Sequence, residues 1–148
     1  MSCKILATKI SMSSLNAVDP TPEQIKIFLG NSPDGQPVFM VNLLKFKDKA
    51  TYHDGENISG RDAYGRYAKA FGQMLKDRNV NATTVYGGYA NHYLIGEGDW
   101  DAVAIVSYPD AKTMFDAVSN EDYRKIHHHR KAGLEGQLLI SCDGQGIF

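Results

Sequence analysis

The side chains best suited to chemistry in this sequence are a buried amide, two closely spaced phenols and one arginine. Asn42 interrupts the longest apolar run of the chain, which extends from Val38 to Phe46. A buried amide needs hydrogen-bond partners, so Asn42 serves either the structure or a ligand whose carbonyl or enolate oxygen it would orient. Tyr64 and Tyr67 stand three residues apart, which places both phenols on one helical face. They either pack in the core or donate protons at a cavity wall.

Arg130 follows the run His127-His128-His129 within a C-terminal helical pattern. It shares a stripe with Tyr123 and Ile126, and an arginine on the inward edge of a helix needs an acidic partner or a ligand anion. The candidate acidic partners are Asp101, Asp122 and Glu135. Consecutive helical residues point about 100° apart, so the three histidines do not converge on one ion, and we expect no metal.

Two further residues lie near the ends of predicted strands. Trp100 precedes a strand and is either a lid over a pocket or a core anchor. Lys45 lies on the pleat face opposite Asn42, and we interpret it as a surface charge whose stem covers apolar neighbours. No Gly-x-Ser-x-Gly or Walker sequence is present, and Gly96-Glu97-Gly98 does not open a helix as a dinucleotide motif must. No histidine is marked as a haem ligand, so we expect no cofactor.

The composition predicts one soluble domain. A chain of 148 residues corresponds to one domain and buries enough surface to fold without metal or disulfide. Its 16 basic and 17 acidic residues give a formal charge of −1, which argues against a nucleic-acid partner. Cys3 and Cys142 form no CxxC pair, which favours a reduced compartment. Neither a signal-peptide core nor a segment able to cross a bilayer is visible, so we expect a cytoplasmic protein without a membrane partner.

The first part of the chain, residues 1–35, is predicted to be an N-terminal extension with one short helix. Thr21 can cap this helix, Pro22 suits its first position and Gln24 can complete a capping box. We expect the helix to end at Gly30. Residues 4–10 have the character of a short strand.

Residues 36–148 are predicted to form a single domain with elements in the order β-α-β-β-α-β. The first helix of this domain begins after Ser59, and Gly65 and Gly72 on nearly one face indicate that it packs closely on a sheet. The second helix is expected in two segments, begun by Asp110 and Ser119 and ended at Gly133. The expected strands are 38–46, 82–89, 101–108 and 137–142. We also expect a mobile polar loop at 47–57, a bulge or close approach at Gly87-Gly88, and a hairpin arm at 91–98.

This element order is that of the ferredoxin-like split βαβ fold, an α+β architecture with both helices on one face of a four-stranded antiparallel sheet. The other sheet face would be bare in a monomer. Met40, Leu44, Ala104 and Val106 alternate on what we interpret as that face, and soluble monomers rarely expose such a patch. We therefore expect a homodimer, sheet against sheet.

Several motifs together resemble the family called domain of unknown function 1330. They are Val41 to Phe46, Tyr64 with Tyr67, Gly87-Gly88, Trp100-Asp101 leading to Val106 to Pro109, and Tyr123 followed by His129 to Leu134. The resemblance covers about residues 36–142, and it departs at the N-terminal extension and at a polar insertion around 51–59. It implies a dimeric α+β barrel, whose superfamily includes cofactor-free monooxygenases, small-ring isomerases, cyclases and haem enzymes. Fold alone does not name a reaction.

Two functions fit these residues. The first is a cofactor-independent enzyme of isomerase, cyclase or monooxygenase type that acts on a small organic, acidic compound in an apolar pocket. The alternative is a dimer that binds a metabolite for regulation and performs no chemistry. The residues assigned to the pocket are His129 and Tyr64 as catalytic groups that move a proton, and Asn42, Tyr67, Trp100 and Arg130 as substrate-binding groups, with Arg130 on an anionic group.

Overall fold

The structure is a computed structural model that describes residues 17–148, so the short strand predicted at 4–10 lies outside the described residues. Its four strands form one antiparallel sheet in the spatial order β2-β3-β1-β4. The elements are α1 (Pro22–Asn31), β1 (Val38–Phe46), α2 (Gly60–Asp77), β2 (Thr83–Tyr89), β3 (Ala102–Tyr108), α3 (Ala111–Ala117), α4 (Glu121–Gly133) and β4 (Leu134–Cys142). This is the ferredoxin-like α+β topology, and the predicted fold class is confirmed.

The capping box of α1 is present as predicted. The Thr21 hydroxyl accepts a hydrogen bond from the Gln24 backbone N–H at 3.1 Å, and the Gln24 amide oxygen accepts from the Thr21 N–H at 2.9 Å. The helix continues through Asn31, so the predicted end at Gly30 is wrong by one residue. The Asn31 side chain donates to the Ile27 carbonyl at 3.1 Å, which gives a carbonyl of the last turn a hydrogen-bond partner.

The start of α4 differs from the prediction. Asp110 caps α3 as expected, by accepting from the Thr113 N–H at 2.7 Å. The cap of α4 is Asn120 and not Ser119, because the Asn120 side-chain oxygen accepts from the Tyr123 N–H at 2.9 Å. The Asn120 amide nitrogen also donates to two carbonyls at the end of α3, so one side chain ends one helix and begins the next.

The glycines that allow close packing are Gly60 and Gly133, and the prediction for Gly65 and Gly72 is wrong. A Cβ on Gly65 or Gly72 would meet nothing within 4 Å. A Cβ on Gly133 would lie 2.5 Å from the Gly60 carbonyl oxygen. At this crossing the Lys47 N–H donates to the Gly133 carbonyl at 2.8 Å, and the Lys47 carbonyl accepts from the Gly60 N–H at 3.0 Å. The end of β1 is thereby bonded to both α2 and α4.

The helices cover the sheet face that carries Met40, Leu44 and Val106, so the assignment of these residues to the bare face is wrong. Met40 is 4% exposed and Leu44 is 2% exposed, both within core clusters, and Ala104 shares their side because it lies opposite Asn42. Antiparallel register places the opposite set of residues together on the other face. That face, which no described element covers, carries Phe39, Val41, Leu43, Val103, Ile105, Leu138 and Ile140.

Two loops also differ from expectation. The segment after β1, predicted to be a mobile loop, is hydrogen-bonded to the rest of the protein. The Ala50 N–H donates to the Ile58 carbonyl at 2.9 Å, and the Thr51 N–H donates to the Ala132 carbonyl at 3.0 Å. Residues 91–98 form a loop and no hairpin arm, because β2 pairs directly with β3. The register shift in β2 lies between Thr84 and Tyr86, ahead of the two glycines.

Candidate functional site

Arg130 lies at the centre of a partly buried polar network. It belongs to the last turn of α4, and its side chain is only 11% exposed. One guanidinium nitrogen donates to the Gln137 side-chain oxygen at 2.5 Å and to the Val18 carbonyl oxygen. The other faces the Asp19 carboxylate at 3.4 Å. The guanidinium is therefore shared between β4 and the segment ahead of α1.

The predicted acidic partners of Arg130 are engaged elsewhere, and its carboxylate partner is Asp19. Asp101 accepts the Phe46 N–H at 2.7 Å, Asp122 pairs with Arg78 at 2.9 Å, and Glu135 faces Lys45 at 3.8 Å. The sequence placed Asp19 in an extension of unknown course, more than a hundred positions away, so no local spacing could identify it.

Asn42 joins the same network through Gln137. The Gln137 amide nitrogen donates to the Asn42 side-chain oxygen at 2.7 Å. The Asn42 amide nitrogen donates to the carbonyls of Met40 and Ala104, each at 3.2 Å. A continuous chain of hydrogen bonds thus extends from the middle of β1 to Arg130. The sequence prediction missed Gln137, the buried polar residue whose side chain links the two; its position within an apolar strand, like that of Asn42, was the available signal.

Tyr64 lies near Arg130, with its ring against Phe46 (ring centroids 5.5 Å apart) and Tyr67 (5.3 Å). Burial raises the pKa of the Tyr64 hydroxyl to about 12, and the nearby positive charge of Arg130 partly offsets that rise. Within residues 17–148 no hydrogen bond to this hydroxyl is found. A neutral phenol beside a guanidinium can donate a proton to a ligand oxygen.

Tyr67 belongs to the core between α2 and α4. Its hydroxyl bonds the Tyr123 hydroxyl at 3.1 Å, and its ring stacks on Phe71 at 5.6 Å. Burial raises the pKa of Tyr67 well above its ordinary value. The Tyr67 ring therefore packs against the Tyr64 ring, and the Tyr67 hydroxyl is hydrogen-bonded to Tyr123.

His129 is directed away from Arg130, toward the loop after β1. Its Nδ1 lies 2.6 Å from the Tyr52 hydroxyl. Burial and the neighbouring charges of His128 and Arg66 lower the pKa of His129, which favours the neutral ring. In the tautomer whose Nδ1 carries no hydrogen, this nitrogen accepts a hydrogen bond from the Tyr52 hydroxyl. Arg66 in turn lies over the Tyr52 ring and pairs with Glu56. Two separate groups of candidate residues are therefore present, one around Arg130 and one around His129.

Trp100 and Lys45 lie at the end of the sheet where β1 finishes and β3 begins. The Trp100 N–H donates to the Tyr93 hydroxyl at 2.7 Å, and no described contact joins Trp100 to Arg130. Lys45 pairs with Asp99 and Glu135, in line with its interpretation as a surface charge. An open cleft of about 250 Å³ lies between the end of β1 and the start of α2, and it is lined by Phe46, Lys47, Asp48, Ser59, Arg61 and Asp101.

His127 points away from the other two histidines, whereas the rings of His128 and His129 pack on each other with centroids 4.0 Å apart. His127 faces Asp19 at 3.8 Å, while His129 faces Tyr52. In the part of the chain from residue 17 onward, no three His, Cys, Asp or Glu side chains come together as a metal site. In the same range, no helix is long and apolar enough to cross a membrane.

Comparisons with known proteins agree on the fold and show no specific function for this chain. The crystal structure of RPA0582, a protein of unknown function from Rhodopseudomonas palustris, is 28% identical with a TM-score of 0.79, and the match covers 88% of this chain and 98% of that one. The methylated RPA0582 protein aligns with a TM-score of 0.81 over 90% of this chain and 98% of that one, again at 28% identity. At3g17210 of Arabidopsis thaliana, at 10% identity and a TM-score of 0.55 over 75% of this chain and 98% of that one, shares the fold alone. No curated protein sequence matches significantly.

The family match covers most of the described domain. Residues 55–142 match the family described as domain of unknown function (DUF1330). This range extends from the loop before α2 to the end of β4, and it contains Tyr64, Arg130 and Gln137 but neither Asn42 nor Asp19. The chain therefore belongs to the DUF1330 family.

Proposed function

We propose that the protein binds a small organic acid between the sheet and the helices, with Arg130 on its anionic group, and that it acts on this compound without a metal or nucleotide. The observation that carries the proposal is the largely buried guanidinium of Arg130 beside Tyr64, whose hydroxyl has no partner among the described residues. A buried guanidinium is a strong site for a carboxylate, because charge-assisted bonds strengthen where water is excluded.

Tyr64 would supply the chemistry. With a pKa of about 12 it is neutral at physiological pH, so it acts as a proton donor to developing negative charge and not as a base. A carbonyl or enolate oxygen next to an acid held by Arg130 is the type of group that such a donor stabilises. Enolate-forming routes for the isomerisation, cyclisation and oxygenation of small acids pass through such charge.

The alternative function is binding without turnover. Its support is that the amide groups of Asn42 and Gln137 and both terminal guanidinium nitrogens of Arg130 already have protein partners, which is typical of a rigid receptor. His129 remains the second candidate for proton transfer. In this structure its Nδ1 is engaged by Tyr52, and only a substrate that reached the other ring nitrogen from outside α4 would use it.

The proposal includes a homodimer that pairs the bare sheet faces. The support is the row of apolar side chains around Val41, which lies opposite Ile105 on one side and Ile140 on the other. Ile140 remains 47% exposed, and an apolar surface of this kind on a soluble protein favours a partner. A second copy presents the same surface, so one interface satisfies both.

The decisive experiment is a search by native mass spectrometry for a compound that co-purifies with the protein, followed by incubation of that compound with fresh protein. A product of altered mass supports the enzyme, and unchanged release supports the receptor. Arg130→Gln should lose the compound, whereas Arg124→Gln, an exposed arginine on the same helix, should retain it. Tyr64→Phe should retain binding and lose turnover by roughly 10²–10⁴-fold. Retention of the compound by Arg130→Gln with a native melting curve refutes the site.

A further inference from the structure

The segment of residues 17–19, here called the strap, makes contacts with Arg130 that resemble those of a small ligand. Its backbone begins at the edge of β4, where the Gln137 N–H donates to the Ala17 carbonyl at 2.7 Å. Its next carbonyl, that of Val18, accepts from the Arg130 guanidinium. The carboxylate of Asp19, the last residue of the strap, lies 3.4 Å from the other terminal nitrogen of the Arg130 guanidinium. The strap thus gives Arg130 a neutral oxygen at one nitrogen and a negative charge at the other.

The side chain of Val18 completes the resemblance. It packs, partly buried, against the cluster of Leu44, Ala102 and Leu134, next to Tyr64. The carbonyl carbon, Cα and branched Cβ of a valine together form a 3-methylbutanoyl skeleton. The oxygen of that skeleton is the one that Arg130 holds, and its two methyl groups lie in the apolar cluster. A branched short-chain carboxylate has the same shape with the charge moved onto the oxygen that contacts Arg130.

The ion pair between Asp19 of the strap and Arg130 is weak. Asp19 is 49% exposed and divides its carboxylate among Arg130, Lys131 at 3.0 Å and His127 at 3.8 Å. Its burial raises the carboxyl pKa, but Lys131, Arg130 and His127 outweigh that effect and the pKa is lowered overall. Because Lys131 is the nearer cation, Asp19 retains a partner if it leaves Arg130. A ligand carboxylate could therefore replace Asp19 at Arg130, and both Arg130 and Asp19 would still have an oppositely charged partner.

We propose that the strap occupies the place of the ligand in the unliganded protein, and that the ligand is a short branched-chain monocarboxylate which displaces it. This inference rests on the proposed function, since it identifies the acid that Arg130 would hold. The strap then acts as a built-in competitor: the observed affinity equals the affinity of the open site multiplied by the fraction of molecules in which the strap is open. Loosening the strap should tighten ligand binding.

The test is calorimetric titration of the full chain with isovalerate and, as an uncharged control, isovaleramide. Wild-type protein should bind isovalerate and not isovaleramide, and Arg130→Gln should bind neither. Asp19→Asn and Val18→Ala each weaken the strap and should bind isovalerate roughly fivefold more tightly than wild type. Glu23→Gln, which removes an exposed carboxylate from α1 with the same change of net charge, should bind as wild type does.

Hydrogen exchange at the Gln137 amide reports the strap directly, because that amide donates to Ala17. Saturating isovalerate should accelerate its exchange in wild-type protein. Isovalerate binding that depends on Arg130 but is unchanged in Asp19→Asn and Val18→Ala, or that leaves Gln137 protected, overturns the strap while the anion site stands. If neither wild type nor the loosened variants bind isovalerate, the ligand class proposed here is wrong. Loss of a different co-purified acid in Arg130→Gln would still uphold the site.

Discussion

The crossing of α2 and α4 at two glycines positions Tyr64 against Arg130, and it should be intolerant of a single methyl group. A Cβ at Gly133 would lie 2.5 Å from the Gly60 carbonyl oxygen and 2.8 Å from the Tyr64 backbone nitrogen. Both are main-chain atoms, so no side-chain rotation relieves the contact. The helices must instead move apart, and with them the backbone of Tyr64.

The expected cost of Gly133→Ala follows from two opposing effects. Overpacking against fixed atoms costs about 1–3 kcal/mol, and alanine recovers at most about 1 kcal/mol of helix propensity. The net loss is about 1–2 kcal/mol, or a melting temperature lower by roughly 3–8 °C for a chain of this size. Gly65→Ala is the matched control, because its Cβ would meet nothing within 4 Å. It should gain up to about 1 kcal/mol from propensity alone.

The measurement is thermal unfolding of the three proteins at one fixed concentration, since association shifts the apparent stability. The reasoning predicts opposite signs for two identical substitutions in neighbouring helices. A Gly133→Ala protein as stable as Gly65→Ala would show that the crossing is looser than described, and that it does not fix the position of Tyr64 near Arg130.

Two further predictions concern the outer loop and the bare sheet face. The pKa of His129 is lowered by burial and by the charges of His128 and Arg66, so the stability that His129 contributes is complete above the unfolded pKa of about 6.5 and is lost as pH falls through the folded pKa. Melting temperatures between pH 7.5 and 5 should therefore fall more steeply for wild type than for His129→Gln, and equal slopes would contradict the bond to Tyr52. Val41→Arg places a charge at the centre of the bare face and should give a 16.4 kDa species in light scattering, half the mass of wild type. Ala68→Arg, on the exposed side of α2, should remain dimeric, and a monomeric wild type at micromolar concentration would refute the interface.

The sequence predicted the order of elements because that order depends on local patterns. The apolar run from Val38 to Phe46 is β1 to the residue, and the caps at Thr21, Ser59 and Asp110 are all present. Helix ends were less accurate, since Ser119 and Asn120 are adjacent competitors for one cap and only the packing of α3 on α4 decides between them.

Tertiary features were harder to obtain from the sequence. A strand that is apolar on both faces does not reveal which face the helices cover, so Met40 and Leu44 were placed on the wrong side. The glycines of α2 illustrate the same limit: Gly60, Gly65 and Gly72 look alike in sequence, but only Gly60 meets another backbone. For the candidate site, Asn42 and Arg130 were identified from the sequence as buried polar groups. Asp19 and Gln137 were not, because they join the site through contacts between segments that are distant in sequence.

We propose that Asn42 has a positioning role, because its hydrogen bonds are made to protein groups. Its oxygen accepts from Gln137, and its nitrogen is used by two carbonyls of β1 and β3, so the amide has no group directed at a ligand. Gln137 is held by Asn42 at one end and offers its oxygen to Arg130 at the other.

Each amide in this chain therefore fixes the orientation of the next, and the guanidinium is the first member that any ligand would contact. Leaving one of these buried groups unpaired would cost about 1–3 kcal/mol, which resists movement of Arg130 when its outer partner changes. Exchange of Asp19 and the Val18 carbonyl for a ligand carboxylate alters only that outer partner. In the proposed competition between the strap and an acid, the sheet would thus hold the arginine in one position.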